Sequence, residues 1–417
     1  MNIIDNEHAR RNLRKYNTII IITIYPLSER DYHKYGIGTF IDNGYDVIVL
    51  DVYPLIAKNF SDIAVPNIKR YKNYKQISNI GELNYEFGKY SSENTLLIVY
   101  CNFVFSCLKI YKEINNHSFD YTVSILGNLP SVNNNIPLST LSIYKKVKRY
   151  LKILSVRAIC DKCLTIIPKK CIGPLGFAPA KYCIVGGASA LRTCSDEYYI
   201  SDNTNIIQAH SMDYDLYLEM YPCSPSDINI NSNYCVFIDE YFPYHPDFTT
   251  IGIKSPVSEE NYYPSLNRFF DCIEKMFNII VIIAAHPRAD YNLHPNVYSN
   301  RKIIAGKTNY LVRDAKFVIM HSSTAISYAA LFKKPIIFTV TNEMIANYGG
   351  IYNELTVVFA RCFGQTPINI DDDYSSLCEI PKINEKLYDK YINEYIKIKG
   401  SQDKKIWEIF IDEIEKE

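Results

Sequence analysis

Short apolar runs rich in β-branched residues recur along the chain, and each is bounded by polar or turn-forming residues. The runs at 18–24 (TIIIITI) and 45–52 (YDVIVLDV) are the strongest in the first half. Continuous apolar runs of this length predict parallel strands buried on both faces. The segment 31–43 between them has mixed apolar spacing and stops at Gly44, which predicts a helix and hence a right-handed βα unit. Further strands are expected at 95–100, 121–126, 182–185 and 205–209.

The alternation breaks at the polar, turn-rich stretch PCSPSDININSN and then restarts with an apolar run at 234–238. Ser258 is positioned to cap a helix over 259–277, whose apolar face is Leu266, Phe269, Phe270, Ile273, Met276 and Phe277. Strands are expected at 279–285, 301–304, 317–320 and 335–340, with helices starting at Thr308 and Ser323. The tail reads as one helix broken around Gly400. The pattern therefore predicts an α/β protein of two Rossmann-like domains. They are a first domain over 1–222, a linker over 223–233, a second domain over 234–380, and C-terminal helices over 381–417. A length of 417 residues agrees with two cores rather than one.

Composition narrows the classes. Lys plus Arg and Asp plus Glu both number 45, so the formal charge is zero and wholesale nucleic-acid binding is disfavoured. No run reaches the roughly 20 apolar residues needed to span a bilayer. Thr18–Ile24 is also too short for a signal segment and lacks a cleavage site, so the chain is expected to be cytoplasmic. The segment 141–156, from Leu141 to Val156, is a basic amphipathic helix that suits peripheral contact with the anionic inner membrane surface. Cys160, Cys163 and Cys171 have no fourth ligand nearby, and Asp371-Asp372-Asp373 reads as a solvated loop, so no metal site is expected. Thirty-six tyrosines against one tryptophan follow from an AT-rich coding sequence more readily than from carbohydrate contacts.

Three polar motifs follow the apolar runs of the second half: Asp239-Glu240, His286-Pro287 and Ser322-Ser323. Residues just past the carboxyl ends of parallel strands line the ligand crevice of such folds. There a carboxylate can take a proton from an acceptor hydroxyl. A histidine can stabilise a leaving phosphate. Ser322, Ser323 and Thr324, at a helix start, can bind that phosphate, with His321 beside them. His245-Pro246 and His294-Pro295 repeat the dipeptide, but only His286 follows a seven-residue apolar run. Gly306-Lys307-Thr308 lacks the upstream glycine spacing of a P-loop and reads as a turn before a helix, able to meet a base edge or a phosphate. Glu343, after the last strand, is a candidate for the ribose. His210, ending a first-domain strand, and Tyr241 are candidates on the acceptor side.

With these residues in view, 234–345 resembles the bacterial GT-B sialyltransferases and polysialyltransferases. Those share an acidic D/E-D/E-G motif, an HP motif and an SS motif in this order. Tyr241 stands where that family has glycine. The resemblance implies a GT-B fold, two Rossmann-like domains facing a central cleft. It implies an inverting, metal-independent transfer of a nonulosonate sugar from a CMP-linked donor to a glycan or lipid-linked acceptor of a capsule or lipopolysaccharide. The nucleotide-sugar would be a substrate, and no cofactor is called for. Asp239 or Glu240 would be the base, His286 would assist the leaving phosphate, and Ser322 and Ser323 would bind it. The stretch HSSTAISYAALFKKPIIF also looks like the nucleotide-binding helix of CDP-glycerol glycerophosphotransferases. A glycerophosphate-type or UDP-sugar transferase is therefore the alternative, and a nucleotide- or sugar-binding module on the same scaffold is the non-enzymatic one.

Overall fold

The computed structural model describes residues 14–56, 71–131, 164, 167, 171–220, 230, 233–250, 253–372, 374 and 377–417. The expected helix at 141–156, Cys160, Cys163, Asp373 and most of the expected linker lie outside these residues. The chain divides into two compact units. The first is Met1–Asn128, Leu138–Met212 and Ile398–Glu417, and the second is Leu129–Pro137 and Asp213–Lys397. The division thus falls at Met212/Asp213, and the last twenty residues group with the first unit.

Among the described residues, the first unit is built on seven parallel strands: β1 (Thr18–Thr23), β2 (Asp46–Asp51), β3 (Tyr74–Gln76), β4 (Thr95–Val99), β5 (Asp120–Ile125), β6 (Tyr182–Gly186) and β7 (Asn205–Ala209). Their order is β3-β2-β1-β4-β5-β6-β7. Successive β1 residues feed opposite faces, Ile20 and Ile22 one core, Ile19 and Ile21 the other. Both faces are covered, which is why the run carries no polar alternation.

The segment expected as one helix between β1 and β2 forms two, Glu29–Lys34 and Ile37–Asp42. They divide at Gly36, whose φ of +65° is left-handed. A Cβ on Gly36 would overlap the Trp407 indole. Trp407 belongs to the C-terminal helix Ile406–Ile414 and is 2% exposed. Its Nε1 donates to the Lys34 carbonyl at 2.9 Å, and its ring packs 5.3 Å from Phe40 and 5.8 Å from Phe410. The end of the chain is thus a structural part of the first core. Trp407→Ala is expected to destabilise this unit by about 3–5 kcal/mol. Urea unfolding of the full chain checks this, and a loss below about 1 kcal/mol would contradict the packing described.

Among its described residues, the second unit has six parallel strands: β8 (Tyr234–Ile238), β9 (Ile280–Ala285), β10 (Ile303–Ala305), β11 (Val318–Met320), β12 (Ile336–Val340) and β13 (Ile368–Asn369). Their order is β10-β9-β8-β11-β12-β13. Val236 and Ile238 face one core, Cys235 and Phe237 the other. Two parallel α/β sheets of this order in one chain are the architecture expected of a GT-B protein. Among the described residues, no helix is long and apolar enough to cross a membrane.

Candidate functional site

In the second sheet the strand order reverses between β8 and β11. Parallel sheets open their ligand crevice at such a switch point, past the carboxyl ends of the strands. Asp239-Glu240 follows β8, and His321-Ser322 follows β11 across the switch. His286 follows β9 on the other side of β8, and Gly306 follows β10. The three motifs therefore share one edge.

Across the switch point, the Ser322 backbone N–H donates to Glu240 Oε1 at 2.6 Å, and the Ser322 hydroxyl lies 3.4 Å from Oε2. Glu240 is partly exposed. Desolvation pushes its carboxyl up to about 7, with the neighbouring Asp239 charge pushing the same way and the Ser322 donors pulling back. A carboxylate held near neutrality can both accept and release a proton at physiological pH.

Asp239 differs from its neighbour. It is 2% exposed. Oδ1 accepts the Tyr241 N–H at 2.8 Å and the Tyr298 hydroxyl at 2.9 Å, and Oδ2 accepts the Tyr291 hydroxyl. Burial raises its pKa and these donors lower it. Three donors take up most of the roughly four lone-pair sites of a carboxylate. Asp239 therefore braces the ends of β8 and β9, with little acceptor capacity left for a substrate proton.

Tyr241 takes φ +53° and ψ 32°, the left-handed conformation that glycine adopts without strain. The backbone at this position thus has the geometry a glycine would supply, at a cost of roughly 1–2 kcal/mol for a side chain. The Tyr241 ring is buried, packs edge-on against Tyr291, and its hydroxyl lies 3.4 Å from the Asp290 carbonyl. That burial leaves it no acceptor-facing surface.

His286 is partly exposed at the end of β9. Its Nδ1 accepts the Arg288 N–H at 3.2 Å, which puts the ring proton on Nε2 in the neutral form. His286 can therefore present an N–H donor. His245 stands beside it, ring centroids 4.8 Å apart. The Arg288 guanidinium reaches His245 and Asp247. Sequence reasoning set His245-Pro246 aside because no apolar run precedes it. The short turn Phe242–Tyr244 carries it back from β8 toward β9, and nothing in a strand pattern signals that return.

Several candidates take structural roles instead. His321 is fully buried: Nδ1 donates to the Thr339 carbonyl at 2.6 Å and Nε2 accepts from Tyr262 at 2.9 Å. Burial lowers it to about 4, so it is a neutral core residue, not a phosphate ligand. Glu343 accepts the Ser258 N–H at 2.8 Å and the Ser258 hydroxyl and Asn261 amide at 2.9 Å each. Ser258 is the N-cap residue of helix Glu259–Phe277, as expected, but its side chain makes no capping bond; Glu343 instead holds that helix start from outside and does not reach for a ribose. His210 is buried in the first unit, with Nε2 2.7 Å from the Lys404 carbonyl and Nδ1 3.1 Å from the Ser211 carbonyl. It ties down the C-terminal segment and is not an acceptor-side group. Asp371 accepts from Ser265 and, at 2.8 Å, from the Asn342 N–H, so it is a bracket rather than a solvated loop residue.

The hydroxyl stretch begins one turn earlier than its helix. The helix is Ile326–Leu331, and the Ser323 hydroxyl accepts the Ala325 N–H at 3.3 Å in the turn before it. Thr324 is exposed. Gly306 has φ +69° with open space where a side chain would stand, and Lys307 precedes helix Thr308–Asp314 without a side-chain capping bond, its ammonium 5.8 Å from the Tyr310 ring. Among the described residues, no group of three or more His, Cys, Asp or Glu is placed to hold a metal ion.

No family model and no curated protein matches the chain. Several solved structures are similar to it. The UDP-GlcNAc 2-epimerase of Methanocaldococcus jannaschii, in complex with UDP-GlcNAc and UDP, is 14% identical over 95% of this chain and 98% of its own, with a TM-score of 0.45. The wall teichoic acid polymerase TagF is 11% identical over 98% of this chain and 90% of its own, with a TM-score of 0.44. MurG of Acinetobacter baumannii is 8% identical over 96% and 100%, with a TM-score of 0.42. Similarities this distant carry no substrate or reaction to the chain. Its function rests on the site itself.

Proposed function

We propose that the chain is an inverting, metal-independent GT-B glycosyltransferase. It moves a nonulosonate sugar from a CMP-linked donor to a glycan or lipid-linked acceptor in bacterial surface polysaccharide synthesis, working in the cytoplasm. The observation that supports this best is the Glu240–Ser322 contact across the switch point, with His286 on the neighbouring strand end. It puts a near-neutral carboxylate and a phosphate-capable N–H in one place.

In the proposed step Glu240 takes the proton of the acceptor hydroxyl. The hydroxyl oxygen bonds to the anomeric carbon as that carbon's bond to the phosphate oxygen breaks. The leaving phosphate accepts hydrogen bonds from His286 Nε2–H and from the Ser322 N–H and hydroxyl, and departs with the nucleotide. The Ser322 N–H donates to Glu240 in the structure, and a phosphate taking that N–H releases the carboxylate. Donor binding therefore frees Glu240 for the acceptor.

Thermal shift with CMP, CDP and UDP tests the nucleotide. Stabilisation by CMP or CMP-sialic acid is expected, and a response to UDP alone would overturn the cytidine reading. A response to CDP-glycerol with none to CMP-sialic acid would favour the glycerophosphate alternative, to which the stretch from His321 to Phe338 also fits. Transfer is expected to survive EDTA at full rate. A His286→Ala enzyme that folds and retains wild-type turnover would remove the phosphate role, for which a loss of about a hundredfold or more is expected.

A further inference from the structure

Two histidine-proline turns meet at one arginine. In both, the histidine Nδ1 accepts the N–H two residues on: Asp247 N to His245 at 3.2 Å, and Arg288 N to His286 at 3.2 Å. An Nδ1 used as acceptor leaves the proton of a neutral imidazole on Nε2. Yet Arg288 Nη2 lies 3.3 Å from His245 Nε2. A guanidinium only donates, and a neutral imidazole has one acceptor nitrogen. Two donors thus claim the single lone pair of His245. With the backbone N–H on Nδ1, the His245 Nε2–H and the Arg288 Nη2–H are neighbouring donors that one external oxygen can accept together.

The other arm of the guanidinium shows what it takes. Arg288 Nη1 donates to Asp247 Oδ1 at 2.8 Å. The ion pair is solvent-accessible, 51% for the Arg288 side chain and 57% for Asp247, so it exchanges readily with a carboxylate from solution. The planar guanidinium matches a planar carboxylate better than it matches a point charge.

We propose that His245 and Arg288 form an oxyanion fork that reads the carboxylate of the transferred sugar. The inference rests on the transferase reading above. In a nonulosonate donor the anomeric carbon carries both a carboxylate and the nucleotide phosphate. His286 and Ser322 serve the phosphate. His245, one ring away at 4.8 Å, with Arg288, serves the group on the same carbon. The fork is a specificity device: it favours donors with a second anion over neutral sugars and over glycerol.

The test compares Kd for CMP and for CMP-sialic acid in the full chain and in Arg288→Lys and His245→Gln. Arg288→Lys keeps the charge and removes the planar fork. Both variants are expected to bind CMP within about twofold of wild type and to lose about tenfold or more in affinity for CMP-sialic acid, the scale of a lost charge-assisted hydrogen bond. Equal weakening of both ligands would assign the fork to the phosphate and overturn the carboxylate role. So would unchanged binding of both, or a wild type that prefers CMP-sialic acid no more than CMP. Wild-type binding of CMP is the separate check on the function itself, since the fork is read only from the ratio of the two affinities.

Discussion

Replacing Glu240 by glutamine is expected to lower the proposed transfer by about 10²–10⁴-fold, the range of a lost general base, while the protein stays folded. Glutamine keeps the size of the side chain and an oxygen for the Ser322 N–H, but it cannot take a proton. The pH behaviour gives a second readout. The carboxyl is held up at about 7 by desolvation, with the Asp239 charge adding to it. Wild-type kcat/KM is therefore expected to rise with pH through about 7 and then level off as Glu240 ionises. Glu240→Gln should lose that limb.

Stability should move the opposite way. A carboxyl whose folded pKa lies above its ordinary 4.5 binds its proton more tightly in the folded chain. The stability it confers is full below about 4.5 and is lost as pH rises through about 7. Glu240→Gln is accordingly expected to raise Tm relative to wild type at pH 8 and to leave it nearly unchanged at pH 4. A functional group that destabilises its own fold is common at active sites. A Glu240→Gln enzyme with wild-type turnover would end its role as base.

What the sequence made legible, and what it hid, follows from the range of the forces involved. The strand ends that carry Asp239, His286 and Ser322 were readable because buried parallel strands must be continuously apolar, so the polar residue after each run marks the sheet edge. β3 (Tyr74–Gln76) and β13 (Ile368–Asn369) are short edge strands with partly exposed residues, and they leave no such signal. The break at Gly36 depends on Trp407, 371 positions away in the chain, so local spacing between β1 and β2 reads as one helix. Glu343 and His321 illustrate the same limit for chemistry. Each has the right residue type just past a strand, and each is consumed by a partner distant in sequence, Ser258 for one and Tyr262 for the other. His245 is the converse: its value comes from lying beside His286 and Arg288, residues about forty positions on.

The Asp239 variants should separate a brace from a base. Asp239→Ala removes the acceptor of two tyrosine hydroxyls and one backbone N–H group in a buried place. Each stranded donor costs about 1–3 kcal/mol, and the losses overlap because the donors can relax together. A net destabilisation of about 3–5 kcal/mol is expected, comparable to breaking a buried charged network. In a unit of this size that is a fall of about 10 °C in Tm. Asp239→Asn keeps an acceptor for the Tyr241 N–H and the Tyr298 hydroxyl and changes only the atom facing Tyr291, so its loss should be smaller. At a temperature where Asp239→Asn is fully folded, it is expected to retain transfer within about tenfold of wild type, far above the loss of about a hundredfold or more from a missing base. If Asp239→Asn were as stable as wild type yet as inactive as Glu240→Gln, Asp239 rather than Glu240 would be the proton acceptor. The three donors around it would then have to release it when substrate binds. The comparison of the two amide variants, stability against turnover, therefore decides between the adjacent acids.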